Sequence, residues 1–195
     1  MENDVNIHED VKMIKDELFT GHLPIPINIV IKVMKSICKI IIYKHDKKLY
    51  GTGFFMKVDI SKKYLITNYH VISPDTINDT IEIEIYNQKK KKLEFNNRYV
   101  KYFPKPKVIT IIEIKNTDEI YKDIQLLNYD LNFKQGYEIY KGVDIFSIEH
   151  PSGDNAACAS GKVINIDNFE FAHNIPTDNG SSGCPIILLN NIKIL

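Results

Sequence analysis

Ile81-Glu82-Ile83-Glu84-Ile85 alternates apolar and charged residues strictly, and this period of two constrains the chain more than any other local feature. Successive side chains on a strand point to opposite faces, so this run must bury one face and wet the other. It is one of a series. Residues 37–43, 50–58, 64–68, 93–103 (interrupted at Asn96-Asn97), 108–114 and 124–129 are short apolar runs parted by turn-forming residues such as His45-Asp46-Lys47-Lys48. A chain of many short strands buries its apolar faces by curling them into a barrel or stacking them as a sandwich. Beyond Lys134-Gln135-Gly136, residues 143–149, 157–167, 169–174, 186–189 and 192–195 repeat the pattern, so two strand-built units are predicted, 37–133 and 134–195. Residues 1–36 differ. Ile7, Val11, Ile14 and Leu18 recur at helical spacing up to Gly21, and Ile27, Val30, Met34 and Ile37 do so after Pro24 and Pro26. This extension reads as two short helices packed on the outside of the strands, or as a docking arm.

Composition narrows the function classes. A length of 195 residues suits one compact unit or two small subdomains sharing a core. The formal net charge of +0 supplies no whole-chain field to attract nucleic acid. The run Lys89-Lys90-Lys91-Lys92 falls between two strand patterns and reads as a solvated hairpin turn. Cys38, Cys158 and Cys184 have no zinc-ligand spacing, and His150 and His173 have no carboxylate or thiol cluster beside them, so neither metal nor cofactor is expected. No apolar run approaches the roughly 18 residues of a membrane span. The start Met1-Glu2-Asn3-Asp4 is acidic and polar, unlike a signal peptide. A cytoplasmic, intracellular setting is the expectation.

The chemistry centres on Asn179-Gly180-Ser181-Ser182-Gly183-Cys184-Pro185. Glycines flanking a serine let the backbone take conformations closed to other residues, so a tight turn can expose one hydroxyl. Such a turn can also aim backbone N–H groups at one point, here those of Gly180 and Ser182, as an oxyanion hole requires. Alone this is an ordinary Gly-Ser turn. It gains meaning from His70, which ends the apolar run from Tyr64, and from Asp123, which heads Asp123-Ile124-Gln125-Leu126-Leu127. A carboxylate just before an apolar strand can orient an imidazole. Asp118 and Asp130 compete with Asp123 for that place, and Ser181 competes with Ser182 as nucleophile. Cys184 would suit a cysteine enzyme only if the nucleophile lay two residues later.

The order His70, Asp123, Ser182 is that of chymotrypsin. Gly51-Thr52-Gly53-Phe54, Thr67-Asn68-Tyr69-His70-Val71, Asp123-Ile124-Gln125-Leu126-Leu127 and Gly180-Ser181-Ser182-Gly183-Cys184-Pro185 together resemble the trypsin/chymotrypsin-fold serine proteases, nearest the disulfide-free HtrA-like members. Ile148-Glu149-His150-Pro151-Ser152-Gly153 and Gly161-Lys162-Val163 resemble a further loop and strand of that family. The resemblance runs from about Ile37 to the end and has no peptide-binding PDZ-type part. It implies an all-β fold of two Greek-key barrels of the chymotrypsin type, preceded by the helical extension. It implies a serine endopeptidase in which Ser182 attacks, His70 moves the proton and Asp123 fixes the imidazole. Counting six residues back from Ser182, as the family pattern suggests, puts Pro176 and Thr177 at the primary substrate pocket, with His173 beside them. Neither Pro176 nor Thr177 is acidic, so small or medium apolar side chains are expected at the cleavage site. Secreted relatives carry an Asp before the nucleophile to pair with a newly cut N-terminus. Ser181 stands there, so no activating cleavage is expected.

The expected partner is a protein or peptide substrate, with no nucleic acid and no membrane. Because only 192–195 follow as a strand-like run, the second barrel is expected to be incomplete, calling for a partner strand, an oligomer or further chain. The competing reading is a catalytically weak, protease-fold peptide-binding module.

Overall fold

A computed structural model describes residues 24–195, apart from 46, 58–61, 87, 168 and 169. The helix expected over 7–18 lies outside the described residues. The second one forms as α1, Ile27–Met34, directly after Pro26. Proline has a fixed φ suited to a helix start and lacks the N–H that a first turn leaves unpaired. Val33 is buried, and Ile29, Val30 and Met34 pack with it against residues of both sheets, while Ile27 and Ile31 remain exposed.

The first sheet contains β1 (Ile37–Lys44), β2 (Lys47–Lys57), β3 (Lys63–Asn68), β4 (Thr80–Ile85), β5 (Lys91–Lys92), β6 (Val100–Phe103) and β7 (Ile109–Ile114) in the spatial order β5-β4-β1-β2-β3-β7-β6. β4 lying beside β1, with β1, β2 and β3 consecutive, is the Greek-key order. The alternation in β4 does what its period requires. Ile81, Ile83 and Ile85 are buried, while Glu82 accepts a hydrogen bond from Tyr43 at 2.6 Å and Glu84 pairs with Lys39 across the ladder at 3.1 Å. These isoleucines join Ile40, Ile42, Phe55, Leu65 and Ile112 in the core of this sheet.

The second sheet contains β8 (Asp144–Glu149), β9 (Ala157–Asp167), β10 (Glu170–His173) and β11 (Ile187–Leu188), in the order β10-β9-β8-β11, the same Greek-key arrangement. Its own core holds Ile145, Val163, Ile175 and Leu188. A third core, with Val33, Phe54, Ile66, Phe146, Ile148 and Ile187, joins the two sheets beneath α1.

Four expectations change. The sheets are not closed barrels: among the described residues no ladder joins the outer strands β5 and β6, or β10 and β11. Residues 124–129 make no strand, only bridges from Leu127 to Met56 and from Tyr129 to Ile194, because the place beside β3 is already taken by β7. Residues 192–195 also contribute only bridges, through Ile194. Lys91 and Lys92 pair with β4 rather than forming a free turn, and their ammonium groups meet Asp123 and Glu94. No helix among the described residues is long and apolar enough to cross a membrane.

Candidate active site

Thr52, wholly buried on β2 between Gly51 and Gly53, ties the site together. Its amide donates to Ser182 O at 2.8 Å. Its hydroxyl donates to Gly180 O at 2.8 Å and accepts from the His150 amide at 3.1 Å. Its carbonyl accepts from Thr67 Oγ1 on β3 at 2.7 Å. One residue therefore joins β2, β3, the turn after β8 and the turn carrying Ser182. This turn has two left-handed residues, Gly180 (φ 90) and Gly183 (φ 91). A Cβ at Gly180 would strike His150 O, and one at Gly183 would strike Thr52 O and Thr67 Oγ1. Both the torsion and the close backbone approach require glycine here.

Within the turn the two serines separate. Ser181 is buried at 4% exposure, and its hydroxyl accepts from the Asp178 amide at 3.1 Å. Ser182 is half-buried, and its hydroxyl is held by no protein group among the described residues. The amides of Gly180 and Ser182 likewise donate to no protein group there.

His70 stands exposed just past the end of β3. Its neighbours bracket the Ser182 turn. Asn68 N lies 3.2 Å from where a Gly183 Cβ would be, and Val71 packs on Gly51, next to Thr52. The fold thus brings the Ser182 turn to the His70 end of β3.

Asp123 does not join them. Its carboxylate pairs with Lys91 Nζ at 2.5 Å. Nearby, Lys63 Nζ donates to Tyr121 O at 2.7 Å and the Gln125 amide donates to Lys35 O at 3.1 Å. Lys63 begins β3 and Lys35 precedes β1, so both anchors lie at the end of the sheet opposite His70. At ~3.3 Å per residue, Lys63 and His70 stand roughly 20 Å apart along the strand. The sequence-based assignment of Asp123 as the group that orients His70 is corrected accordingly. Of its competitors, Asp118 is held by Arg98 in a two-pronged ion pair (2.7 and 2.8 Å). Asp130 accepts from Tyr140 at 2.8 Å and meets Lys193 at 3.4 Å. No hydrogen bond or ion pair among the described residues joins His70 to a carboxylate. The backbone facing this end of β3 belongs to Val108, whose carbonyl accepts from the Tyr69 amide at 3.0 Å.

The fold is one found among solved structures. No protein-family model and no curated protein matches the chain by sequence. Solved structures match it in fold. The serine endoprotease from Yersinia pestis superposes with a TM-score of 0.65 at 13% identity, over 89% of this chain and 57% of that one. The active form of the Rv3671c protease from M. tuberculosis gives 0.64 at 18% identity, over 91% and 79%. The HtrA-type protease AlgW with tripeptide gives 0.63 at 14% identity, over 88% and 53%. The chain has the trypsin-like serine protease fold. It spans little more than half the length of the Yersinia protease and of AlgW.

Within that fold, Pro176 and Thr177 are exposed before the Ser182 turn, and His173 is half-buried with an unpartnered Nδ1. Burial lowers the His173 pKa, against a smaller upward pull from Glu149. Cys184 faces inward, with its thiol 3.8 Å from Glu149 Oε2. Burial first, and then the Glu149 charge, push this thiol up to about 12, so it is not a thiolate at neutral pH. All three cysteines are free, and the described residues contain no metal-binding cluster. Sequence reading missed Thr52, although its place between two glycines marked a close approach of backbone.

Proposed function

We propose that this protein hydrolyses peptide bonds with Ser182 as nucleophile and His70 as general base. Ser182 Oγ attacks the carbonyl carbon, and its proton passes to the His70 imidazole. The carbonyl oxygen becomes an oxyanion held by the Gly180 and Ser182 amides. Collapse of this intermediate breaks the C–N bond as His70 returns the proton to the leaving amine. Water then releases the acyl group by the same steps. The observation that carries this reading is the Thr52-anchored turn, which brings a half-exposed Ser182 and two uncommitted amides to the end of β3 that bears His70. AlgW in its complex holds a tripeptide, which fits peptide as the substrate class here. Pro176, Thr177 and His173 would line the primary pocket, and a preference for small or medium apolar residues follows from the absence of an acid at Pro176 and Thr177. No N-terminal cleavage is needed, because Ser181 is already held inside its own turn.

A second reading is favoured by one observation, the engagement of Asp123 by Lys91 far from His70. Without an orienting carboxylate the turnover is slow, and peptide retention becomes the larger part of the activity. Incubating the protein and its Ser182→Ala variant with a mixed peptide library separates the two. Ser182-dependent cleavage after apolar residues supports hydrolysis. Binding of the same peptides by both proteins, without cleavage, supports the retention reading.

A further inference from the structure

We propose that position 108 is the seat of the group that orients His70, and that Val108 leaves this seat without a carboxylate. The proposal rests on the assignment of Ser182 and His70 above. β7 runs antiparallel to β3, with Ile109 opposite Asn68. The residue just before β7 therefore lies across from the residues just after β3, and the Tyr69–Val108 hydrogen bond of 3.0 Å fixes that pairing next to His70. A short acidic side chain at 108 would start beside the backbone of Tyr69 and His70, whereas Asp123 starts from the far end of the sheet.

The backbone of this seat suits an acid better than the residue it carries. Val108 has φ 53, in the left-handed region. A β-branched residue is a conformational outlier there, whereas Asp and Asn are the non-glycine residues that accept it most readily. Val108 is also half-buried, at a turn edge that shields it from bulk water only in part. Lys105 and Lys107, adjacent in sequence, are exposed cations, and nearby positive charge favours the ionised form of an acid. Strain retained next to a reacting group points to a position with a functional past or present.

The test uses the full chain in four forms: wild type, Val108→Asp, Val108→Asn and Asp123→Asn. Three quantities are read, the rate of Ser182 acylation by a fluorophosphonate, the titration of His70 by NMR and the thermal unfolding midpoint. Loss of the orienting acid costs a serine protease roughly 10⁴ in rate, so partial restoration by Val108→Asp should speed acylation at least about tenfold. A carboxylate beside His70 should also raise its titration midpoint and fix the proton on Nδ1. Val108→Asn relieves the same backbone strain without the charge, and should gain thermal stability without the rate. Asp123→Asn should acylate at the wild-type rate. If neither wild type nor Val108→Asp reacts, the His70 titration still decides: an upward shift upholds the seat and counts against the hydrolytic reading alone. A folded Val108→Asp protein with unchanged rate and unmoved His70 titration overturns the proposal. So does a loss of acylation in Asp123→Asn, a result that stands even if Val108→Asp fails to fold.

Discussion

Thr52→Val removes one hydroxyl and leaves the shape of the side chain almost unchanged. The hydroxyl donates to Gly180 O at 2.8 Å and accepts from the His150 amide at 3.1 Å, at a position with no solvent access. After substitution both backbone groups lose their partner. A buried polar group left unpaired costs about 1–3 kcal/mol, and two groups sharing one hydroxyl relax together rather than independently. A loss of about 2–4 kcal/mol in unfolding free energy is therefore expected, large against a total of about 5–15 kcal/mol for a domain. Thr52→Ser keeps the hydroxyl and should lose no more than about half as much, mainly through the missing methyl group. Urea unfolding of the three proteins, followed by far-ultraviolet circular dichroism, measures this. Acylation of Ser182 should fall more steeply than stability, because the Gly180 carbonyl fixes the turn that carries the proposed oxyanion amides and a misplacement of ~1 Å can cost about 10²-fold. If Thr52→Val unfolds within about 0.5 kcal/mol of wild type and acylates normally, the turn is held by other contacts and Thr52 is not its anchor.

Cys184, with its thiol pushed up to about 12, should resist iodoacetamide at pH 8 in the folded protein, reacting about 10³-fold slower than in urea. Native-state labelling with peptide mapping checks this, and rapid modification of Cys184 would reopen a cysteine-based mechanism. Burial lowers the pKa of His150, so the unfolded chain takes up a proton near its ordinary ~6.5 before the folded one does. The stability this neutral imidazole contributes is complete above that value and is lost as pH falls through the lower, folded one. Urea unfolding at pH 7.5 and 5.5 should show lower stability at 5.5, by a smaller margin in His150→Asn. An equal or larger drop in that variant would place the acid sensitivity elsewhere.

The parts of the site legible in sequence are those encoded locally. Gly180 and Gly183 announce a turn that only glycine can make, and the apolar run ending at His70 announces a strand with a histidine at its tip. The place of Asp123 was not legible, because 109–114 and 124–129 are two apolar runs of the same kind. Which of them pairs with β3 is a tertiary competition. β7 wins it, with six residue pairs from Lys63–Ile114 to Asn68–Ile109. The carboxylate that heads the second run, Asp123, is thereby carried away from His70 to Lys91. The open edges of both sheets have a similar origin. Alternation in Ile81–Ile85 dictates which face of β4 is buried, but nothing in its period dictates whether the last strand returns to the first. Thr52 illustrates a third limit, since its four hydrogen bonds reach residues from Thr67 to Ser182 that only the folded chain assembles.

The central claim is that Ser182 is the nucleophile and His70 its base, and mass-spectrometric mapping of fluorophosphonate adducts tests it most directly. Wild-type protein should carry one adduct, on Ser182. Ser182→Ala should carry none, His70→Ala should label at least about 10²-fold more slowly, and Ser181→Ala should still label at Ser182. An adduct on Ser181, or labelling that persists in Ser182→Ala, would contradict the account.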